Sequence, residues 1–362
     1  MAKTDAKPTQ TTQPTQPAQP TRTTRTFSPP SDRLADNVGA GLVPVLDAVA
    51  AGTAAQVFAA AVELNVFGAL AEAPAGIEDI QRRLGLHPRP LPDFLDALTA
   101  MGLLVRGPDG YRATAAARLH LDAGAPEFIG AYVTAGPAPE LVRLLRTGGL
   151  AERPGEEDGA GGDPYSDPNA AHAFIAFMDS MNAMIADELR EAIDWGRYDS
   201  FVDVDGSRGE LARQLLTAFP RLTGTVVDRP EVATAFEEHF ATDPARSRVA
   251  FHSADGGPLP RADVVLLGGV LHDISMKERE DLLRRAHDAV APGGLVLVYD
   301  VMIDDARTAL NPLLGSLQMM MTVPEGGKYT PSQCRAWVAA AGFTDLATRP
   351  MGVDTLIIGH KN

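Results

Sequence analysis

From about Tyr198 onward, short β-branched runs alternate with helical stretches, and that alternation restricts this half of the chain to one architecture. The strand-like runs are "SFVDVDG", "LTGTVVD", "VAFHSAD", "ADVVLLGGVLHD" and "GLVLVYDVM". Between them lie helical stretches such as "RGELARQLLTAF", "EVATAFEEHF" and "MKEREDLLRRAHDAV". Strands separated by helices pair through crossovers, which predicts a parallel, doubly wound α/β sheet. A further helix and "CRAWVAAAGF" follow, and then "TDLATRPM" and "DTLIIGHK" predict a closing antiparallel hairpin.

Upstream the period is helical. Val43, Leu46, Val49, Ala54, Val57, Phe58, Val62 and Leu64 predict two helices over 43–70 with few charges. A helix that is apolar on most faces must be covered by another domain or another chain. Next, "GIEDIQRRLGL", "PLPDFLDALTAMGLL" and "VRGPDGYRAT" read as helix, helix and a two-stranded wing turning at Pro108-Asp109-Gly110. That order is a winged helix. Glu78, Asp79, Asp93 and Asp96 sit on the helices that would approach DNA, where phosphate contact needs the opposite sign. Dimerisation is therefore the expected role.

Residues 126–193 carry more helices, broken by an acidic, Gly-rich stretch at 153–164 that reads as a mobile loop. Phe174, Phe177, Met178, Met181 and Met184 recur at helical spacing, either as plain core or as the wall of an apolar substrate pocket. Residues 1–35 are mostly Thr, Pro and Gln and cannot bury enough apolar surface to order themselves. The expected organisation is a disordered tail (1–35), a winged-helix dimerisation domain (36–120), a helical pocket and linker region (121–197) and a Rossmann-like α/β domain (198–362).

Charge and cysteine content exclude several classes. A net charge of −15 with no basic patch disfavours nucleic acid and anionic membrane surfaces. The single cysteine, Cys334, allows no internal disulfide framework and fits a reducing cytoplasm. The apolar runs 264–271 and 295–303 fall well short of the roughly 20 residues that span a bilayer. The amino-terminal stretch has no apolar signal-peptide core.

In such sheets ligands sit beyond the carboxyl ends of the strands. The first strand ends in "FVDVDGSRGEL", where Gly206 and Gly209 suit a tight strand-to-helix turn and the helix starting at Glu210 faces the ligand. The second ends in Asp228, a carboxylate placed to accept both hydroxyls of a ribose. The third runs into Asp255, within expected reach of an adenine amine. The fourth ends in "GGVLHD", setting His272 at the mouth of the pocket, as a proton acceptor or as a structural, hydrogen-bonded histidine.

Residues 43–362 resemble the small-molecule O-methyltransferases of the caffeate and acetylserotonin type, including bacterial members from antibiotic pathways. The resemblance rests on the order of "FVDVDGSRGELARQLLTAFPRLTGTVVDRPEV", "LLGGVLHD", "AVAPGGLVLVYDVM", "GGKYTPSQCRAWVAAAGF" and "TLIIG". It implies a class I methyltransferase fold with S-adenosylmethionine (SAM) held on the turn formed by Asp203, Asp205, Gly206 and Gly209. It further implies Asp228 on the ribose, Asp255 on the adenine, His272 as base and Asp300 as the acid that orients it. The acceptor pocket would be lined by Met178, Met181 and the run 317–321, which includes Met320. No metal is implied, the substrate is a small molecule, and the amino-terminal helices imply a homodimer.

The chain departs from the family where the cofactor binds. The family turn reads Asp-x-Gly-x-Gly-x-Gly, and here Asp205 and Ser207 replace the first two glycines. A carboxylate at the first position stands beside the cofactor's methionine portion, as a partner for its ammonium or as an obstruction. Gly256 replaces an apolar clamp after Asp255, and Ile274 replaces an aromatic residue after Asp273. Lys328 stands where a glutamate commonly supports the histidine, a change expected to lower the basicity of His272. Three readings follow: an O-methyltransferase acting on an aromatic or polyketide-like hydroxyl in secondary metabolism; an enzyme of this fold that has lost methyl transfer and catalyses proton transfer, cyclisation or rearrangement; and a non-catalytic partner subunit.

Overall fold

The computed structural model describes residues 43–125, 127–129, 138–149, 165 and 168–362. The expected tail (1–35), the acidic loop (153–164) and the side chain of Met184 lie outside the described residues. The amino-terminal part consists of α1 (Val43–Glu63), α2 (Val66–Ala69), α3 (Ile77–Leu84), α4 (Leu91–Ala100), the hairpin β1 (Leu104–Gly107) and β2 (Gly110–Ala113), and α5 (Ala115–His120). The wing forms as its turn residues require. Gly110 has φ +106°, and a Cβ there would lie 2.2 Å from the carbonyl oxygen of Ala75. After α5 come α6 (Pro139–Thr147) and the long α7 (Pro168–Ala192).

The α/β part follows as β3 (Ser200–Val204), α8 (Glu210–Ala218), β4 (Thr223–Asp228), α9 (Ala233–Phe240), β5 (Val249–Ser253), β6 (Ala262–Gly268) and α10 (Met276–Ala289). It closes with β7 (Val290–Asp300), α11 (Leu310–Thr322), α12 (Pro331–Ala340), β8 (Thr344–Met351) and β9 (Asp354–His360). The seven strands lie in the order β5-β4-β3-β6-β7-β9-β8; β3 to β7 are mutually parallel, and β9 runs antiparallel to both β7 and β8. The parallel sheet and closing hairpin read from the sequence are therefore both present.

Side chains in the central strands alternate between two apolar layers, as a strand period of two requires. Val264, Leu266, Leu295 and Leu297 join a core with α7, α8 and α9, while Val265, Leu267, Val296 and Val298 join one with α10 and α12. Strand order reverses about β3, so the crevice beyond the carboxyl ends of β3 and β6 is the topological switch point of the sheet.

Two features were not legible in the sequence. First, α11 does not lie with the sheet. Leu313, Leu317, Met320 and Met321 pack into the amino-terminal core with Val57, Phe67, Phe94 and Leu141, and the hydroxyl of Thr53 donates to Gln318 Oε1 at 3.0 Å. Second, Asp93 and Asp96 do not face outward as the sequence reading placed them. Both are buried and both pair with Arg307, which reaches in from the loop after β7 with φ +55°. Asp96 also accepts from Tyr111 Oη at 2.7 Å and from Arg106 Nη1 at 2.9 Å. These acids pair with the half-buried Arg307, so they give no evidence about a DNA-facing surface.

Among the described residues one helix, α1, is long and apolar enough to cross a membrane, with a mean hydropathy of 1.6. It exceeds the apolar runs noted from the sequence once its alanines are counted. It packs on α4 and α11 through Val57, Ala60 and Ala61, while Val45 and Val49 remain exposed.

Removing one member of a buried ion-pair cluster leaves uncompensated charge, at a cost of about 3 kcal/mol. Arg307→Met should lower unfolding stability by that amount in urea titration, with a raised Asp93 pKa. A loss below about 1 kcal/mol would show that the cluster does not join α4 to the loop after β7.

Candidate active site

The turn after β3 keeps the backbone of a glycine turn although two glycines are missing. Asp205, Ser207 and Gly209 all have left-handed φ, at +62°, +53° and +89°. Such φ values cost a non-glycine residue about 1–3 kcal/mol and persist only where the surroundings impose them. Here Asp205 N donates to Val227 O at 2.8 Å, and Ser207 N donates to Asp228 Oδ2 at 2.7 Å. Gly206 has no room for a side chain, since a Cβ would lie 2.7 Å from Asp203 Oδ2. The serine is therefore less neutral than its size suggests, because it occupies a strained position.

Carboxylates crowd this turn. Asp203 is buried, its Oδ2 has no hydrogen-bond partner, and burial together with Asp228 and Asp205 pushes its pKa up to about 7. Asp228 accepts from Ser207 N and, through Oδ1, from Arg229 N at 2.6 Å; burial raises its pKa despite these donors. Asp205 is open to the cleft, and its pKa is also pushed up to about 7, by desolvation and by Asp228 and Asp273. Glu210 points elsewhere, held by Arg213 at 2.7 and 2.8 Å and by His239 at 3.0 Å.

Groups that the sequence reading did not single out bound the turn. Arg208 pairs with Asp179 of α7 at 2.5 Å, and Arg229 stacks over Tyr165 with its guanidinium carbon 4.9 Å from the ring centre. Asp255 lies beyond the edge strand β5, exposed. Its Oδ1 accepts from Gly257 N at 2.8 Å, and no contact joins it to the other acids. Gly256 is left-handed at φ +77°, which accounts for a glycine where an apolar clamp was expected.

The other half of the site is a charge chain. His272 Nδ1 lies 2.7 Å from Asp300 Oδ2, and Lys328 Nζ lies 3.4 Å from Asp300 Oδ1. With its proton on Nδ1 facing Asp300, the neutral imidazole keeps a lone pair on Nε2 that can accept a proton, and Asp273 Oδ1 lies 3.4 Å from that nitrogen. Burial disfavours the imidazolium, but the charge and hydrogen bond of Asp300 outweigh it, and the pKa of His272 is raised. Lys328 subtracts from that effect, as its sign requires, without reversing it. The expected effect of the lysine is thus present in direction, and Asp300 outweighs it; the lysine also pairs with the far oxygen of Asp300. Asp300 itself is held well below the usual carboxylate range, because His272 and Lys328 overcome its burial.

Local structure fixes this chain. Ser275 and Glu278 form a capping box at the start of α10, and Thr330 and Gln333 form another at the start of α12. Between them, Gly327 N donates to His272 O at 2.9 Å, Arg279 donates to Gly327 O at 3.0 Å, and Arg89 donates to Gly326 O at 2.7 Å. Ile274 packs into the core with α10 and α12. Asp354, buried at the start of β9 with a pKa of about 7, had no sequence signal. Of the proposed acceptor residues, Met178 and Met181 are half-buried on α7, while Met320 belongs to the helical core.

Fold and site together define a class I methyltransferase-type protein. Residues 159–344 match the O-methyltransferase domain family, and residues 47–123 match the O-methyltransferase dimerisation domain. The tetracenomycin polyketide synthesis 8-O-methyl transferase of Streptomyces glaucescens is 44% identical over 312 residues, covering 83% of this chain and 91% of that protein. Among solved structures, an O-methyltransferase family 2 protein from Planctomyces limnophilus in complex with apigenin superposes with a TM-score of 0.77. It is 26% identical, over 92% of this chain and 97% of that one. Human N-acetylserotonin methyltransferase in complex with SAM gives a TM-score of 0.56 at 26% identity, over 88% and 97%. The chain belongs to the O-methyltransferase family and is a SAM-dependent methyltransferase.

The charge chain makes a prediction of its own. By NMR titration His272 should have a pKa above 6.5, the ordinary histidine value. Lys328→Met should raise it further, and Asp300→Asn should lower it. An unchanged value in Lys328→Met would show that the lysine does not act on the imidazole.

Proposed function

We propose that this enzyme methylates a phenolic hydroxyl of an aromatic polyketide-type small molecule, with His272 as the base. One observation carries the reading: a histidine hydrogen-bonded at 2.7 Å to a buried aspartate, on the segment just beyond β6 and facing the turn after β3. The 44% identity to a polyketide 8-O-methyl transferase supports the acceptor class. Methyl transfer is favoured over the rearrangement and partner-subunit readings by the same comparisons.

The residues present fit the cofactor. The turn leaves no room for a side chain at Gly206, Asp203 offers an orphaned buried oxygen, and each oxygen of Asp228 keeps a further lone pair. Asp203 and the turn would hold the methionine portion, Asp228 the ribose and Asp255 the adenine. Bound SAM supplies a methyl group made electrophilic by its sulfonium. His272 Nε2 takes the acceptor's hydroxyl proton and so leaves that oxygen the electron pair it needs as a nucleophile. Asp300 holds the ring in register and stabilises the imidazolium. The raised pKa means that His272 is charged, and unable to accept, at low pH. Activity should therefore rise with pH through a value above that of free histidine.

Met178 and Met181 supply an adaptable wall to the acceptor pocket, with Met320 behind it. The exposed Val45 and Val49 on α1, within the matched dimerisation domain, make a homodimer the assembly that covers this helix. The chain divides functionally near residues 36, 121 and 198.

The test is SAM turnover with a panel of polyketide phenols, followed by release of the demethylated product, S-adenosylhomocysteine (SAH). His272→Asn should lower kcat by about a hundredfold or more. Full turnover by that variant would remove His272 from the mechanism. Substrate conversion without SAH release would identify a rearrangement instead.

A further inference from the structure

Asp205 occupies the position of the family turn's first glycine without disturbing the turn. Its φ of +62° preserves the glycine path of the main chain, and its side chain opens onto the cleft. Among the described residues the carboxylate makes no hydrogen bond or ion pair. The charged groups around it are Asp228 and Arg229 at the end of β4, His272 and Asp273 beyond β6, and Asp203 on its own strand. Three of these five are acids, and the two groups of opposite sign, His272 and Arg229, only partly offset them. Although it opens onto the cleft, desolvation by the surrounding atoms and the acids Asp228 and Asp273 push its pKa up to about 7, a shift that a cation beside it would reverse.

SAM and SAH share an ammonium, a carboxylate and an adenosine, and the sulfonium is the one charge that only the donor carries. That sulfur bears the methyl attacked by the acceptor oxygen, and His272 must touch the same oxygen to deprotonate it. A carboxylate that faces both Asp228 and His272 is therefore near the charge that disappears on transfer. We propose that Asp205 is a specificity-determining residue that favours SAM over SAH by pairing with the sulfonium, an inference that rests on the cofactor assignment above. The carboxylate that seemed to encumber the turn tightens the donor, and after transfer it is left without a counter-ion, which speeds product release. A glycine at this position can do neither.

The test is calorimetric affinity for SAM and for SAH in the wild-type enzyme, Asp205→Asn and Asp205→Gly. Asparagine keeps the shape and tolerates a left-handed φ, and glycine restores the family turn, so both variants should fold. The ratio of SAM to SAH affinity should fall about fivefold or more in both, through weaker SAM binding, as loss of a solvent-screened charge pair requires. Equal weakening of the two ligands would place Asp205 on the shared ammonium and overturn the proposal. Equal tightening in Asp205→Gly would make Asp205 an obstruction and overturn it as well. Failure of the wild-type enzyme to bind SAM at millimolar concentration would instead overturn the cofactor assignment itself.

Discussion

A single buried carboxylate, Asp300, organises the site. It ends β7, and its two oxygens face opposite ways, one toward His272 at 2.7 Å and the other toward Lys328 at 3.4 Å. A charge taken out of water is tolerated only when paired, so the position of Asp300 fixes both neighbours. Through His272 it reaches the segment beyond β6. Through Lys328, whose backbone N donates to Ser316 Oγ at 3.0 Å, it reaches α11 and hence the helical core. His272 and α11 are thus registered to one point at the end of a central strand.

Facing it, the turn after β3 shows how a binding motif can lose its residue types and keep its shape. Glycines are used in such turns because the main chain must adopt left-handed φ and approach the ligand closely. Asp205 and Ser207 adopt those angles anyway, held by Val227 O and Asp228 Oδ2. The strain is borne locally by these two contacts. The turn thereby carries a carboxylate in the field of Asp203, Asp228 and Asp273, while Arg208 pairs with Asp179 and Arg229 stacks on Tyr165.

Much of this was legible in the residues. The seven strands, the wing and the helices appeared as local periods of two and 3.6. His272 and Asp228 were singled out because they stand at the ends of strands whose direction was already read, and Asp300 because the family resemblance implied it. What was missed concerned charge. Asp93 and Asp96 looked like the surface of a helix; Lys328 does lower the basicity of His272 as its sign predicts, but its pairing with Asp300 went unseen. Each is decided by a partner far along the chain: Arg307 lies 214 residues from Asp93 and 211 from Asp96, and Asp300 lies 28 from Lys328. No pattern in the sequence marks such pairs.

The sequence by itself determined where strands and helices form, the parallel order of the sheet and the strand ends at which chemistry could gather. These follow from hydrophobic period and chain connectivity, which are local or nearly so. Tertiary structure alone decided that α11 leaves the sheet to complete the helical core, that Asp300 is shared between a histidine and a lysine, and that the residues replacing glycine take left-handed angles. Burial and pairing depend on which distant segments meet, and folding settles that by removing apolar surface and unpaired charge from water together.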